Sequence, residues 1–207
     1  MNYMNDPLGI WELAVLALLR QAPMHPYLMQ QLLRARHKDK ILALKQGSLY
    51  HAIRRLVRMN LISASSTGRN GRRPERTTYR ITPEGRKELL RSLRQIISVP
   101  RRESSEFMAA MSFLVHLTPS ESLPRLEERC SALEDEIGHY VEVMKVVTLR
   151  IARIHLVENE YLLAMRRAEL DWTQALITDI RSGKLDWDTQ EILRKARTEA
   201  TDFHLEQ

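Results

Sequence analysis

The sequence predicts a mainly α-helical protein, in which three helices and a β-hairpin are followed by a long antiparallel helical arm. Gly and Pro are scarce, at 7 and 8 of 207 residues, which favours helices over a turn-rich β fold. Apolar residues recur mostly at spacings of three and four, and β-prone runs occur only between residues 61 and 81. A heptad pattern of apolar residues then continues from residue 126 to residue 154.

The first part of the chain predicts three helices separated by short breaks. Apolar spacing places the first helix over residues 8–21. Pro26 suits the first position of a second helix, because that position needs no amide hydrogen. A third helix is expected to begin at Gln46 or Gly47 and to stop before Asn60, since Asn is second only to Gly in the left-handed conformation that ends helices.

A long hairpin and a fourth helix complete this part. The β-prone runs Leu61–Ala64 and Thr77–Ile81 flank a loop that is rich in Gly and Arg. Thr82 then has the character of an N-cap, with Pro83 at the first helical position. This element order is that of a winged helix-turn-helix, which we assign to residues 1–100.

The second part lacks strand signals and predicts a helical domain over residues 101–183. An amphipathic helix over 104–117 precedes Thr118 and Glu121, whose spacing is that of a capping box. The next helix is expected over 121–157. Its apolar seam is too long to be buried against one small domain, so this helix must pair with the following helix, with a second copy or with both. We expect homodimerisation through it. The predicted dimer interface consists of Leu126, Cys130, Leu133, Ile137, Tyr140, Met144, Val147, Ile151 and Ile154.

A further helix, which Gly183 is expected to end, precedes a C-terminal extension over residues 184–207 with one short helix. Met and aromatic side chains in both parts have two interpretations. They belong to packed cores, as such residues usually do, or they line a cavity for a small aromatic or hydrophobic effector. The set is Trp11, Phe107, Met108, Met111, Tyr161, Met165 and Trp172.

Charge divides unevenly along the chain. Residues 1–100 hold 18 Lys and Arg against 6 Asp and Glu, whereas residues 101–207 hold 14 against 20. A basic domain on an acidic one suggests a nucleic-acid-binding head on a self-associating body; a solvated charged surface is the alternative.

The third helix is the expected reader of double-stranded DNA, because a helix enters the major groove with its outward face. With Ile53 at the centre of the buried side, Ser48, His51, Arg55 and Arg58 point outward. The full predicted recognition set is Lys45, Gln46, Ser48, Tyr50, His51, Arg54, Arg55 and Arg58. Arginines of the hairpin suit the minor groove, and the predicted wing contacts are Arg69, Arg72, Arg73 and Arg76.

Other function classes find little support. The chain has no Gly-rich phosphate loop, nucleophile elbow or metal-ligand spacing, so we expect no enzyme, catalytic residue, cofactor or metal. Cys130 is the single cysteine and is expected to be a small buried hydrophobe in a reducing cytoplasm. The longest apolar stretch, residues 13–19, is too short to span a membrane.

Four stretches resemble the PadR family of bacterial transcriptional regulators. Residues 46–53 (QGSLYHAI) are similar to its recognition-helix signature, and 24–27 (MHPY) to the start of its second helix. Residues 71–79 (GRRPERTTY) and 79–85 (YRITPEG) are similar to its wing and exit strand. The sequence departs at Asn60, where the family usually has Gly, and at His51, where many members have Pro.

The resemblance implies a homodimer that binds a pseudo-palindromic operator, usually as a repressor, and that a small, often aromatic ligand releases from DNA in some members. Two other functions remain open from the residues themselves. One is a non-specific architectural nucleic-acid binder, which would use the same basic head. The other is a coiled-coil adaptor that ignores DNA.

Overall fold

The computed structural model describes residues 8–36, 38, 47–68, 76–100 and 105–205. The chain divides into two compact units, residues 1–102 and 103–207. The second unit therefore includes residues 184–207, which the sequence suggested as a separate extension.

The first unit holds helices around a two-stranded hairpin. The helices are α1 (Ile10–Gln21), α2 (Pro26–Ala35), α3 (Ser48–Arg58) and α4 (Pro83–Ser98), and the strands are β1 (Ile62–Gly68) and β2 (Arg76–Ile81). Apolar side chains from all four helices and both strands form one core, and burial of such side chains is the main favourable contribution to folding. The buried core residues include Val15, Leu16, Met29, Leu49, Leu56, Ile62, Ile81 and Leu89.

Local signals place the ends of these helices as predicted. Asn60 adopts a left-handed conformation with φ 57° after α3, and the Leu61 amide donates to the Leu56 carbonyl at 3.0 Å, which closes the helix end. Thr82 caps α4, since its Oγ1 accepts the Gly85 amide at 3.0 Å and Pro83 follows it.

The hairpin is antiparallel and carries a third, very short partner. Ile62 pairs with Ile81, and the register shifts by one residue at a bulge between Ala64 and Ser66. Met24, just before α2, exchanges two backbone hydrogen bonds of 3.1 Å with Tyr79. The sequence did not predict this bridge, which fixes the start of α2 beside β2.

The second unit is helical over the described residues. It comprises α5 (Glu106–Met111), α6 (Pro119–Val147), α7 (Val157–Arg181) and α8 (Thr189–Leu205), with 3-10 turns at Leu114–His116 and Arg153–His155. The capping box at the start of α6 and the left-handed Gly183 after α7 are both present as predicted.

Two predicted helices are shorter than expected. The helix expected over 104–117 ends at Met111, where the Ser112 hydroxyl donates to the Met108 carbonyl at 3.3 Å and the chain tightens into a 3-10 turn. The helix expected over 121–157 ends at Val147, where the Thr148 hydroxyl donates to the Met144 carbonyl at 2.8 Å.

The residues of the predicted heptad seam therefore do not all lie on one exposed helix face. Leu126, Cys130 and Leu133 are buried within the unit, and the first two share a core with Ile177 and Ile180 of α7. The chain's own antiparallel helix covers Leu126 and Cys130, and the assignment of this stretch to a dimer interface stays a prediction. The prediction that Ile151 and Ile154 continue the helical seam is wrong, because both follow the end of α6.

Charged side chains fix the pairing of α6 with α7. Arg129 pairs with Glu169, and Arg181 pairs with Glu127 at 2.7 Å. The guanidinium of Arg129 also lies 3.6 Å from the ring centre of Phe107 in α5. No described helix is both long and apolar enough to cross a membrane.

Candidate nucleic-acid interface

The N-terminus of α3 depends on a glycine. Gly47 has φ 108°, a conformation that L side chains rarely adopt, and its carbonyl accepts the His51 amide at 3.0 Å. The chain can therefore turn sharply into α3 at this position, and Ser48 becomes the first helical residue.

The outward face of α3 is rotated from the predicted one. The buried positions are Leu49, Ala52, Ile53 and Leu56. At about 100° per residue, their centre lies about 50° from Ile53, toward Leu49 and Leu56. The side chains that this rotation exposes are Tyr50, His51, Arg54, Val57 and Arg58.

Arg55 is half-buried and its side chain is bound to α1, so its predicted contact with base edges stays a prediction. Its Nη1 lies 3.3 Å from Oε1 of Glu12 in α1, and the two side chains are 25% and 7% exposed. Ser48, which was also predicted to point outward, is half-buried. It lies on the side of α3 that faces α1, in a shallow cleft that we call the α1–α3 cleft. The cleft residues are Trp11, Glu12, Gly47, Ser48, His51 and Ala52.

A groove follows the exposed side of α3, where the helix meets the start of α2 and strand β2. We call it the α3 groove. It is lined by His25, Pro26, Tyr27, Tyr50, Ile53, Arg54, Thr77 and Tyr79, and an adjoining hollow adds His51, Val57 and Arg58. Its residues come from three segments, so the groove exists only in the folded unit.

The bridge between Met24 and Tyr79 builds one wall of the α3 groove. His25 follows Met24 and caps α2, because its Nδ1 accepts the Leu28 amide at 3.1 Å. The ring of Tyr27 stacks on that of His25 with centroids 6.2 Å apart. Tyr27 and Tyr50 are 52% and 48% exposed and line the groove together with Arg54.

These groups suit a nucleic acid. Tyrosine hydroxyls and guanidinium groups donate hydrogen bonds to phosphate oxygens, which orient a protein on a duplex. Arginine and histidine on an exposed helix face can also reach the base edges of a major groove. No described group of three or more His, Cys, Asp and Glu residues is arranged to hold a metal ion.

The comparisons with known proteins agree with this geometry. The model of the transcriptional regulator PadR-like family matches residues 15–91, which include α2, α3, the hairpin and most of α4. The chain carries a PadR-like domain. Members of this family are transcriptional regulators and not enzymes. No curated protein gives a significant match to the sequence.

Solved structures extend the PadR-like likeness to the second unit. PadR of Bacillus subtilis in complex with operator DNA is 18% identical, with a TM-score of 0.68 over 84% of this chain and 99% of that chain. Its complex with p-coumaric acid gives the same score and coverage at 15% identity. The virulence activator AphA of Vibrio cholerae is 15% identical, with a TM-score of 0.62 over 83% of this chain and 98% of that chain. The predicted winged-helix fold with a helical C-terminal region is thereby confirmed.

Several predicted DNA contacts of the PadR-like unit cannot be placed. Lys45, Gln46, Arg69, Arg72 and Arg73 lie outside the described residues. Arg76 begins β2, but its side chain also lies outside the description.

Three aromatic residues of the α3 groove, His25, Tyr27 and Tyr79, were missed by reasoning from periodicity. They come from outside α3, and the signal in the sequence was the aromatic character of the MHPY and TTYRI stretches. Glu12 was missed as well, although an acidic residue within an otherwise apolar helix is a recognisable sign of a buried charge.

The proposed effector residues do not form one described site. Trp11 packs against the core of the first unit. In the second unit, Phe107 meets Trp172 edge-on with ring centroids 6.0 Å apart, and Met111 is half-buried. Met108, Tyr161, Met165 and Trp172 are at least half exposed. The effector cavity stays a prediction.

Proposed function

We propose that this chain is a sequence-specific transcriptional repressor that reads double-stranded DNA as a homodimer. The observation that carries the proposal is the α3 groove, which gathers the exposed His51, Arg54 and Arg58 beside two exposed tyrosines. The solved structure of B. subtilis PadR with operator DNA supports it, because that protein shares the fold. A protein with this function works in the cytoplasm, where bacterial DNA lies.

Exposed apolar side chains in the second unit support the homodimer. Leu149 and Ile154, in the turn between α6 and α7, are 85% and 72% exposed. Large apolar side chains exposed close together along the chain are typical of interaction sites on proteins, and a second copy is the occupant we propose. The proposed interface contains Val143, Val146, Leu149, Ile151, Ile154, Val157, Tyr161 and Met165.

The homodimer can be tested by replacing two of these residues. Leu149→Asp with Ile154→Asp is expected to give a monomer in light scattering, because two buried carboxylates would be unpaired at the interface. Arg125→Ala, at an exposed position near the start of α6, is the control and is expected to remain dimeric. An unchanged mass for the double variant contradicts the proposed interface.

A two-fold dimer implies a pseudo-palindromic operator. Two copies of α3 enter successive major grooves on one face of the duplex when their spacing is about 34 Å or a multiple of it. We further propose that a small aromatic or hydrophobic effector releases the protein from DNA. The support is the p-coumaric acid complex of a protein with this fold.

The decisive experiment selects duplexes from a random-sequence pool with the wild-type protein. Enrichment of one pseudo-palindromic motif supports the proposal. Binding with no sequence preference, which a non-specific architectural protein would show, contradicts it. A dimer that binds no duplex indicates the adaptor function instead. If the protein increases transcription from a reporter that carries the motif, it is an activator and not a repressor, as the name of AphA states for that protein.

Variants of α3 separate base readers from phosphate contacts. His51→Ala and Arg58→Ala are each expected to cost about 1–3 kcal/mol of discrimination if they contact base edges. Arg94→Ala, at an exposed position of α4, is the matched control and should leave the selected motif unchanged. A variant that binds all sequences more weakly by the same factor would indicate that the replaced residue contacts phosphate.

A further inference from the structure

The ion pair between Glu12 and Arg55 joins α1 to the helix that reads DNA in the function proposed above. Glu12 is almost fully buried, which is rare for a carboxylate. Its Oε1 accepts a hydrogen bond from Nη1 of Arg55 at 3.3 Å. Arg55 lies in the last turn of α3, one helical turn after His51.

The carboxylate has a prepared place at the start of α1. Glu12 lies in the first turn of this helix and Gly9 is its N-cap residue. A Cβ on Gly9 would lie 2.6 Å from Oε2 of Glu12, so the absence of a side chain there makes room for the carboxylate. Negative charge at a helix N-terminus is itself favourable.

Glu12 also lies beside the other end of α3. With Gly47, Ser48 and His51 it lines the α1–α3 cleft, while its carboxylate is bound to Arg55. One buried side chain of α1 therefore adjoins α3 both near its first turn and near its last. His51 lines both this cleft and the hollow that adjoins the α3 groove.

Stability alone does not account for such a pair. The apolar residues Leu49, Ala52, Ile53 and Leu56 already hold α3 in the core, and a buried ion pair is often no more stabilising than apolar residues of similar volume. Apolar contacts tolerate small rotations of a helix, whereas a charged hydrogen bond requires one geometry. The pair is thus suited to selecting one rotation of α3.

We propose that Glu12 is a positioning residue for DNA reading. By holding Arg55 against α1, it fixes the rotation of α3 about its own axis, and thereby the direction in which His51, Arg54 and Arg58 face the bases. Without this hydrogen bond, α3 stays folded but samples several rotations, so the base contacts lose more than the phosphate contacts do. The inference rests on the proposed function of α3.

The test compares two duplexes, the one that the wild-type protein selects from a random pool and a scrambled duplex of equal composition. Glu12→Gln keeps the shape and replaces the ion pair by a weaker hydrogen bond from Arg55 to an uncharged amide oxygen. We expect the ratio of the two Kd values to fall by about tenfold, the discrimination of a base contact. The Kd for the scrambled duplex and the salt dependence of binding should stay near those of the wild type, because the phosphate contacts persist.

A double variant separates positioning from stability. Glu12→Met with Arg55→Met replaces the pair by apolar side chains, so we expect a Tm at or above that of the wild type together with the same loss of discrimination. Gly9→Ala crowds the carboxylate without changing either partner, and it should weaken discrimination in the same direction. Glu128→Gln breaks the exposed Arg125–Glu128 pair of α6 and should change neither quantity.

The possible failures are distinguishable. A wild-type protein that enriches no sequence overturns the proposed function and the positioning role together. A selective wild type whose Glu12→Gln variant is equally selective overturns the positioning role alone, and so does an equally selective double variant. Should the double variant not fold, Glu12→Gln and Gly9→Ala, measured at matched folded concentrations, decide by the same ratio.

Discussion

A Cβ atom on Gly85 would lie 2.1 Å from the carbonyl oxygen of Leu61. The same carbonyl accepts hydrogen bonds from the Thr82 amide at 3.1 Å and from the Thr82 hydroxyl at 3.0 Å. The first turn of α4 is therefore pressed against the backbone that leads from α3 into the hairpin. Only glycine allows this approach, which holds the first turn of α4 beside the end of α3.

Gly85→Ala is expected to destabilise the first unit by about 2 kcal/mol or more. Forcing atoms into a packed site costs about 1–3 kcal/mol, and a backbone carbonyl with two donors cannot move aside as a flexible side chain can. The gain in helix propensity from Gly to Ala, about 1 kcal/mol at most, does not offset this. Chemical denaturation followed by circular dichroism measures the change.

Gly138→Ala is the matched control, because a Cβ at this exposed position of α6 would meet nothing within 4 Å. Here only the propensity term applies, so this variant should be more stable than the wild type by about 0.5–1 kcal/mol. If both substitutions stabilise the protein, the close approach at Gly85 is wrong.

The capping box of α6 makes a prediction about pH. Oε2 of Glu121 accepts the Thr118 amide and the Thr118 hydroxyl, both at 2.8 Å. The backbone hydrogen bond, followed by the hydroxyl, holds the pKa of Glu121 below its ordinary value. A lowered folded pKa stabilises the protein above the unfolded pKa of about 4.3, and this contribution is lost as the pH falls through the folded pKa.

Glu121→Gln should therefore lower the Tm of the second unit at pH 7, and the difference from the wild type should disappear in acid. Thr118→Ala removes the reciprocal bond and is expected to cost about 1 kcal/mol. Asp135→Asn, at an exposed position of the same helix, serves as the control. A difference between Glu121→Gln and the wild type that is independent of pH would contradict the role of the carboxylate.

The sequence was sufficient to predict features that depend on a few neighbouring residues. The caps at Thr82 and Thr118 and the left-handed stops at Asn60 and Gly183 involve bonds across at most six positions. The winged-helix order follows from such signals together with periodicity, so the fold class could be predicted as well.

Features that depend on distant residues could not be predicted. Heptad spacing continues through Ile151 and Ile154, but periodicity carries no information about where α6 ends, which is at Val147. Arg55 has the same local pattern as an outward arginine, and the residue to which it is bound, Glu12, lies 43 positions earlier in the chain. The apolar seam also looks alike whether its partner is a second copy or α7.

Cys130 should react slowly with alkylating reagents in the native protein. Its side chain lies in the core of the second unit. Desolvation, followed by the negative charge of Glu134, raises the pKa of the thiol, so less of the reactive thiolate is present. Iodoacetamide labelling at pH 7.5, followed by mass spectrometry, should be slow until denaturant is added. Rapid labelling without denaturant would show that the α6–α7 core opens readily.

The raised thiol pKa also carries a stability consequence. Because the folded state favours the protonated thiol, this contribution to stability is complete below the unfolded pKa, about 8.5, and falls as the pH rises beyond it. Cys130→Ala removes the titrating group, and its unfolding free energy should depend less on pH in that alkaline range. An equal alkaline dependence in both proteins would assign the effect to other groups.

The last prediction concerns how α8 is held to the rest of the second unit. Nε1 of Trp187 donates to the Leu117 carbonyl at 2.8 Å, and the Thr189 hydroxyl donates to the same oxygen at 3.1 Å. Trp187→Phe removes one donor and keeps most of the ring packing, so we expect a loss of about 1 kcal/mol. Because α8 begins two residues later, hydrogen exchange of its amides should accelerate while that of α6 does not.

Trp172→Phe, at a half-exposed position of α7, is the matched control and should leave exchange in α8 unchanged. Equal exchange in all three proteins would mean that the indole hydrogen bond does not hold α8, and that the apolar contacts of Trp187 with the α6–α7 core do so instead.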